Sequence, residues 1–281
     1  MGLFQAIFLG LIQGLTEFFP ISSSGHLAIT QYYLKGFRQP GLLFDVAVHL
    51  GTLFALTVYF RREIYALLLS LKPGNNQKSS PKGGVRDQDE VLSLFGEQPR
   101  QFLLKLVLAS LPTAVIGYLL RNLALQAFQS ITTVALFLGV TGLVVFLGAR
   151  TKRRKRGFAL HHALIIGAAQ GLAVLPGLSR SGLTIASGMF CGLEGRLAAR
   201  FSFLLAIPAI LGAGLIEFKA ISALPPGEYP AYAAGMAMAA LSGYAAIKLV
   251  LVSVTSRNFG LFGVYCLIAG SGIYLSRLLT G

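Results

Sequence analysis

The chain has 281 residues, of which 54% are apolar and only 12% charged, and it carries a net charge of +14. Soluble domains run nearer 45–50% apolar and about 25% charged, so a soluble enzyme, a disordered chain and a disulfide scaffold are disfavoured against a polytopic helical membrane protein. In such a protein a positive excess reports orientation, and the placement of the charges carries more than their sum.

Residues 3–34 form an apolar stretch broken by Pro20-Ile21-Ser22-Ser23-Ser24-Gly25. The runs on either side are too short to cross a bilayer alone, and backbone freed at membrane depth must be satisfied by protein or water. This stretch reads as a re-entrant helix pair with its tip inside the protein. It lacks the positive n-region of a cleaved signal. Spanning helices are expected at about 44–60, 102–120 and 129–149. The segment at about 62–101 is rich in Gly, Asn, Ser, Pro and Lys and is expected to be a mobile cytoplasmic loop. A second broken stretch, 158–195, is interrupted by Pro176-Gly177-Leu178-Ser179-Arg180-Ser181-Gly182 and reads as a second re-entrant pair. Spans at about 199–218, 230–252 and 259–278 complete the chain. The expected fold is all-α, a single membrane domain over 1–281 with six transmembrane helices and two re-entrant helix pairs. Cys191 and Cys266 are isolated thiols without redox or zinc spacing.

The charges give the sides. Arg61, Arg62, Lys72, Lys78, Lys82, Arg86, Arg100, Arg150, the run Lys152-Arg153-Arg154-Lys155-Arg156, Arg196, Arg200 and Arg257 fall on one side. Lys35, Arg38, Arg121, Lys219 and Arg277 fall on the other. Sixteen against five makes the first side cytoplasmic and puts both termini outside. The basic run follows a membrane helix, so nucleic acid is not expected as a partner.

A register shift of 157 (170 minus 13) aligns the two broken stretches without a gap. Gln13-Gly14-Leu15 meets Gln170-Gly171-Leu172, Ser22-x-Ser24-Gly25 meets Ser179-x-Ser181-Gly182, and Phe44 meets Phe201. Repeat 1 (about 1–150) and repeat 2 (about 158–281) each hold one re-entrant pair and three crossings. Three is odd, so the second repeat enters from the opposite face. That is an inverted-topology repeat, with the two tips expected to meet near the middle.

The tips carry the chemistry. Gln13 and Glu17 are four apart and share a helix face. An ionisable Glu in an apolar segment is costly and marks function. Two oxygen donors at this spacing suit Mg²⁺ or Ca²⁺. Ser22, Ser23, Ser24 and Gly25 then precede a new helix, a segment able to present hydroxyls and N–H groups to an anion. His26 follows and is placed to move a proton. The second tip supplies Ser179, Arg180, Ser181 and Thr184, and a guanidinium fork suits bidentate phosphate binding. Facing tips of this kind suit phosphoryl transfer. Each residue also has a structural reading. Glu17 and Arg180 can form a buried salt bridge, Gln13 can brace helices, a reading its equivalent Gln170 supports, His26 can simply start a helix, and serines brace helix breaks. Asp45 and His49, four apart, form a second candidate polar face; His161 and His162 read as interfacial, and Glu217 as a boundary residue beside Lys219.

Gln13-x-x-x-Glu17, the run Pro20-Ile-Ser-Ser-Ser-Gly-His26 and Pro176-Gly-x-Ser-Arg-Ser-x-x-Thr184 resemble the bacterial undecaprenyl-diphosphate phosphatases of the bacitracin-resistance type. The resemblance covers essentially the whole chain. It implies hydrolysis of undecaprenyl diphosphate to undecaprenyl phosphate and phosphate in the bacterial plasma membrane. This would recycle the carrier for peptidoglycan synthesis and confer bacitracin resistance. It also implies a divalent cation, Mg²⁺ or Ca²⁺. The family's first motif position takes Glu or Gln, and Gln13 leaves Glu17 to carry most of the charge on a metal. The expected catalytic residues are Glu17, Ser23, His26 and Arg180, with Ser22, Ser24, Ser179, Ser181 and Thr184 binding substrate. Ser23 or a water attacks the terminal phosphorus while His26 manages the proton, in a site facing the outer side. The partners expected are the polyprenyl diphosphate and membrane lipid, with a homodimer left open. The competing reading is an inverted-repeat transporter or flippase for a phosphorylated lipid or small anion.

Overall fold

The computed structural model describes residues 1–34, 43–71, 98–151, 157–221, 226–256 and 258–280, with the side chains of 215–221, 226 and 280 left aside. The described residues are helical, with no strand among them. In chain order the helices are α1 Leu3–Phe18, α2 Ser23–Tyr33, α3 Leu43–Tyr59, α4 Arg61–Leu69, α5 Pro99–Ala127 and α6 Ile131–Arg150. Then come α7 Leu160–Leu172, α8 Arg180–Phe190, α9 Gly195–Ile221, α10 Tyr229–Ser253 and α11 Phe259–Thr280. Five helices (α5, α6, α9, α10, α11) are long and apolar enough to cross a membrane alone. The sixth expected span, α3, has 17 residues. At 1.5 Å per residue it covers about 25 Å, short of a bilayer core of about 30 Å. It qualifies as a span only together with α4, across a 71° bend.

That bend corrects the expected loop. Its start is helical as α4, and its end is the first turn of α5, with Pro99 at a position where a missing N–H costs nothing. Glu63 on α4 is buried and accepts from Arg200 Nη1 at 3.3 Å, which ties α4 to α9. Residues 72–97, the basic run 152–156, Lys35, Arg38 and Arg257 lie outside the described residues, as do the side chains of Glu217 and Lys219.

Both broken stretches are helix–break–helix, as their sequences imply. Ser22 caps α2 by accepting from Gly25 N–H at 3.2 Å, and Ser179 caps α8 by accepting from Gly182 N–H at 3.1 Å. The same serine does the same work 157 positions later (179 minus 22). Each cap satisfies one of the donors a helix start leaves without a partner.

Helix pairing follows small residues. Gly10 and Gly14 press α1 onto α10, where a Cβ would fall on the Gly235 carbonyl and the Ser242 hydroxyl. Gly167 and Gly171, at the same register, press α7 onto α5; a Cβ at Gly171 would lie 2.7 Å from Ile116 Cβ. Small residues four apart let apolar helices approach closely where lipid gives no hydrophobic drive. Helix α6 lies along α11 through Gly142 and Gly263, which face each other's backbone. The main apolar core sits beneath the first tip, where Phe18 packs edge-on against Phe203 at 5.5 Å between Phe60, Phe201 and Phe102. His162 is buried rather than interfacial: its Nδ1 accepts from Ala159 N–H at the start of α7.

Candidate active site

The first tip is a strained turn. Ser22 has φ 68° and ψ 95°, the one positive φ outside glycine among the described residues. Such backbone costs about 1–3 kcal/mol and persists only where its surroundings over-determine it. Here the turn folds α2 back against the end of α1. Ser23 Oγ thereby donates to Glu17 Oε2 at 2.5 Å. Gln13, one helical turn before Glu17, donates Nε2 to the same oxygen at 2.9 Å, as the four-residue spacing requires.

The second tip is held by α6. Gly177 has φ +96°, and a Cβ there would collide with the Val134 carbonyl, so glycine is required twice over. Thr141 donates to Gly177 O at 2.9 Å and accepts from Ser179 N–H at 2.9 Å. This fixes the start of α8, whose first residue is Arg180. Arg180 Nη2 reaches Glu17 Oε1 at 2.6 Å, and Ser181 Oγ donates to Phe19 O at 3.0 Å. The two tips thus meet through a buried ion pair and one hydrogen bond.

The expected residues divide. Gln13, Glu17, Ser23 and Arg180 form one contiguous polar cluster. Ser22 and Ser179 serve as caps, and each lies near the serine two residues on, Ser24 at 3.3 Å and Ser181 at 3.2 Å. Thr184 faces α9, with its Oγ1 2.5 Å from Ser202 Oγ and 2.7 Å from Arg180 O. His26 turns from Ser23. Its Nδ1 lies 2.8 Å from Ser22 O and its Nε2 2.8 Å from the Tyr265 hydroxyl. A carbonyl only accepts, so the neutral ring carries its proton on Nδ1 and Nε2 accepts from Tyr265; the tautomer is assigned from these partners. His49 brings its Nε2 to 3.5 Å from Glu17 Oε2, while its Nδ1 donates to Asp45 O at 2.6 Å. Asp45 itself accepts from Gln31. The face of Asp45 and His49 touches the site through His49.

Two residues were missed by sequence reasoning. Thr141 stood out only as a hydroxyl in an apolar run. Tyr265 gave no signal, because an aromatic residue in a spanning helix is ordinarily read as lipid contact.

The cluster leaves two atoms for a ligand. Gln13 Oε1 and Arg180 Nη1 are buried without a hydrogen-bond partner. A buried acceptor and a buried charged donor, each without a partner, are costly unless a ligand satisfies them. An Nη1–H suits a phosphoryl oxygen. No group of three or more His, Cys, Asp or Glu able to hold a metal occurs among the described residues. The oxygen of Gln13 and one carboxylate still fit a Mg²⁺-type site completed by phosphate oxygens and water.

The sequence pattern described as bacitracin resistance protein BacA matches residues 6–272. The chain belongs to this family. Among similar proteins is the undecaprenyl-diphosphatase of Syntrophotalea carbinolica, 44% identical over 273 residues, or 96% of this chain and 97% of that one. The undecaprenyl-diphosphatase of Desulforapulum autotrophicum is 40% identical, covering 96% of each chain. That of Methanobrevibacter smithii is 35% identical over 99% of each. These nearly full-length matches fall on a multi-pass helical protein whose two broken stretches meet at one carboxylate.

Proposed function

We infer that this membrane protein hydrolyses undecaprenyl diphosphate to undecaprenyl phosphate and inorganic phosphate. One observation carries the chemistry: Glu17, Ser23 and Arg180, from opposite halves of the chain, are hydrogen-bonded into one buried cluster beside two atoms without partners. Arg180 Nη1 binds a terminal phosphoryl oxygen while Nη2 stays on Glu17. Ser23 Oγ attacks the terminal phosphorus and gives its proton to Glu17 Oε2, already its acceptor. The bond from that phosphorus to the bridging oxygen breaks, and undecaprenyl phosphate leaves with the electron pair. Water then attacks the phosphoserine phosphorus, the P–Oγ bond breaks as Ser23 Oγ takes the proton held by Glu17, and phosphate departs carrying the water's oxygen and both of its protons. In the resting geometry this gives Glu17, rather than His26, the proton of Ser23. Gln13 Oε1 and Glu17 are the residues that would hold a Mg²⁺ or Ca²⁺ ion, which when bound neutralises phosphate charge.

Phosphate release from a C55 diphosphate by purified protein in detergent tests the activity. Trapping of a phosphoserine at Ser23 tests the nucleophile; Ser23→Ala at an undiminished rate assigns the attack to water instead. The relatives' names favour hydrolysis over the transporter reading.

The inverted repeat belongs to the same proposal. Its support is the matched pairing of α1 with α10 and of α7 with α5 through Gly10/Gly14 and Gly167/Gly171. With both termini outside, the first tip opens to the outer side of the plasma membrane.

A further inference from the structure

His26 poses a question the reaction leaves unanswered, because neither ring nitrogen points at Ser23. Its Nδ1–H and its own backbone N–H both go to the Ser22 carbonyl, at 2.8 and 3.1 Å. Ser22 is the strained residue that aims Ser23 at Glu17. The ring is therefore a brace across the strained turn. A brace must be stopped from rotating, and what stops it comes from the last helix. The Tyr265 hydroxyl bonds Nε2 at 2.8 Å, and its ring stacks on the imidazole at 5.7 Å with a 15° tilt. The next residue, Cys266, points its thiol at Pro20 O, and Phe262 packs on Phe19 at 5.2 Å. Helix α11 thus backs the whole tip, and Tyr265 is its only contact with the His26 ring among those described here.

We propose that Tyr265 is a positioning residue for the reaction: its hydroxyl locks the His26 ring on the Ser22 carbonyl and so keeps Ser23 aimed at Glu17. The inference rests on the roles given to Glu17 and Ser23 above. Tyr265 is about half exposed, so removal of its oxygen alone leaves the packing intact.

Tyr265→Phe is the test, measured on the full chain in detergent with a C55 diphosphate. We expect kcat to fall about tenfold, the scale of one lost hydrogen bond. KM and the melting midpoint stay unchanged. In protein labelled with ¹⁵N-histidine, the His26 Nε2 resonance moves on the same substitution, because it loses its donor. A wild-type kcat, an unmoved Nε2 resonance, or a loss of rate matched by lower melting overturns the proposal. Ser23→Ala run in parallel separates the two readings. Full turnover by that variant removes Ser23 as nucleophile, whereas the Nε2 shift in Tyr265→Phe reports on the brace alone.

Discussion

Glu17 is the residue on which the site turns. One oxygen serves Arg180 and the other serves Gln13 and Ser23. Glu17→Gln keeps the shape but removes both the counter-charge and the proton acceptor. Turnover should fall by about 10²–10⁴-fold, as loss of a general base does. Arg180 divides its work between two nitrogens, which Lys cannot copy. Arg180→Lys should keep the ion pair and the melting midpoint yet lose about 10²-fold in kcat, because one arm of the fork is gone. Arg180→Ala should also destabilise the fold by about 3–5 kcal/mol, the cost of leaving a buried charge without its partner. Denaturation and phosphate release measured on both variants separate the two effects. Glu17 and Arg180 were legible in the sequence because a charge in an apolar run is rare. Ser23 was legible only as one of three serines before a new helix, and its part as nucleophile came with the family resemblance. The contacts of His26 were not legible, since only coordinates show where its nitrogens point. Tyr265, 239 residues from His26, left no trace in the local pattern.

At the scale of elements, breaks and caps were the most readable features. Pro and Gly stopped the helices where expected, and Ser22 and Ser179 started the next ones. Helix α4 escaped detection because it begins with charged residues and borders a polar segment, so composition outweighed its short helical pattern. The glycine contacts make a prediction here. Gly14→Leu would drive a side chain into Ala239 and Ser242, and Gly167→Leu into Ala109. Each should cost about 1–3 kcal/mol or more through overpacking and lower the melting midpoint. Gly117→Leu, with nothing within 4 Å of its Cβ, should leave melting unchanged. Equal melting in all three variants would show that the helices do not depend on these approaches.

For the whole molecule the charges carry an expectation of orientation and the structure carries the contacts, and one experiment joins them. The orientation proposed above predicts that Ser24→Cys, in a Cys191→Ser and Cys266→Ala background, reacts with a membrane-impermeant thiol reagent added outside intact cells. Labelling only after the membrane is broken reverses the orientation. The expected sides rest on sixteen of the 24 basic residues falling on one side of the predicted spans. The meeting of the tips was only inferred from the repeat, because no local pattern encodes a contact between Glu17 and Arg180.

That contact sets a clock on biogenesis. Glu17 and Arg180 are 163 residues apart in the chain. At a synthesis rate of about 5–20 residues per second, the carboxylate is made roughly 10–30 s before its cation. For that interval the first half of the protein holds Glu17 among Gln13, Ser23 and His49 but without its arginine. The first tip therefore cannot reach its working shape until the second half has been inserted, and the enzyme is complete only when its last-made helices close over its first.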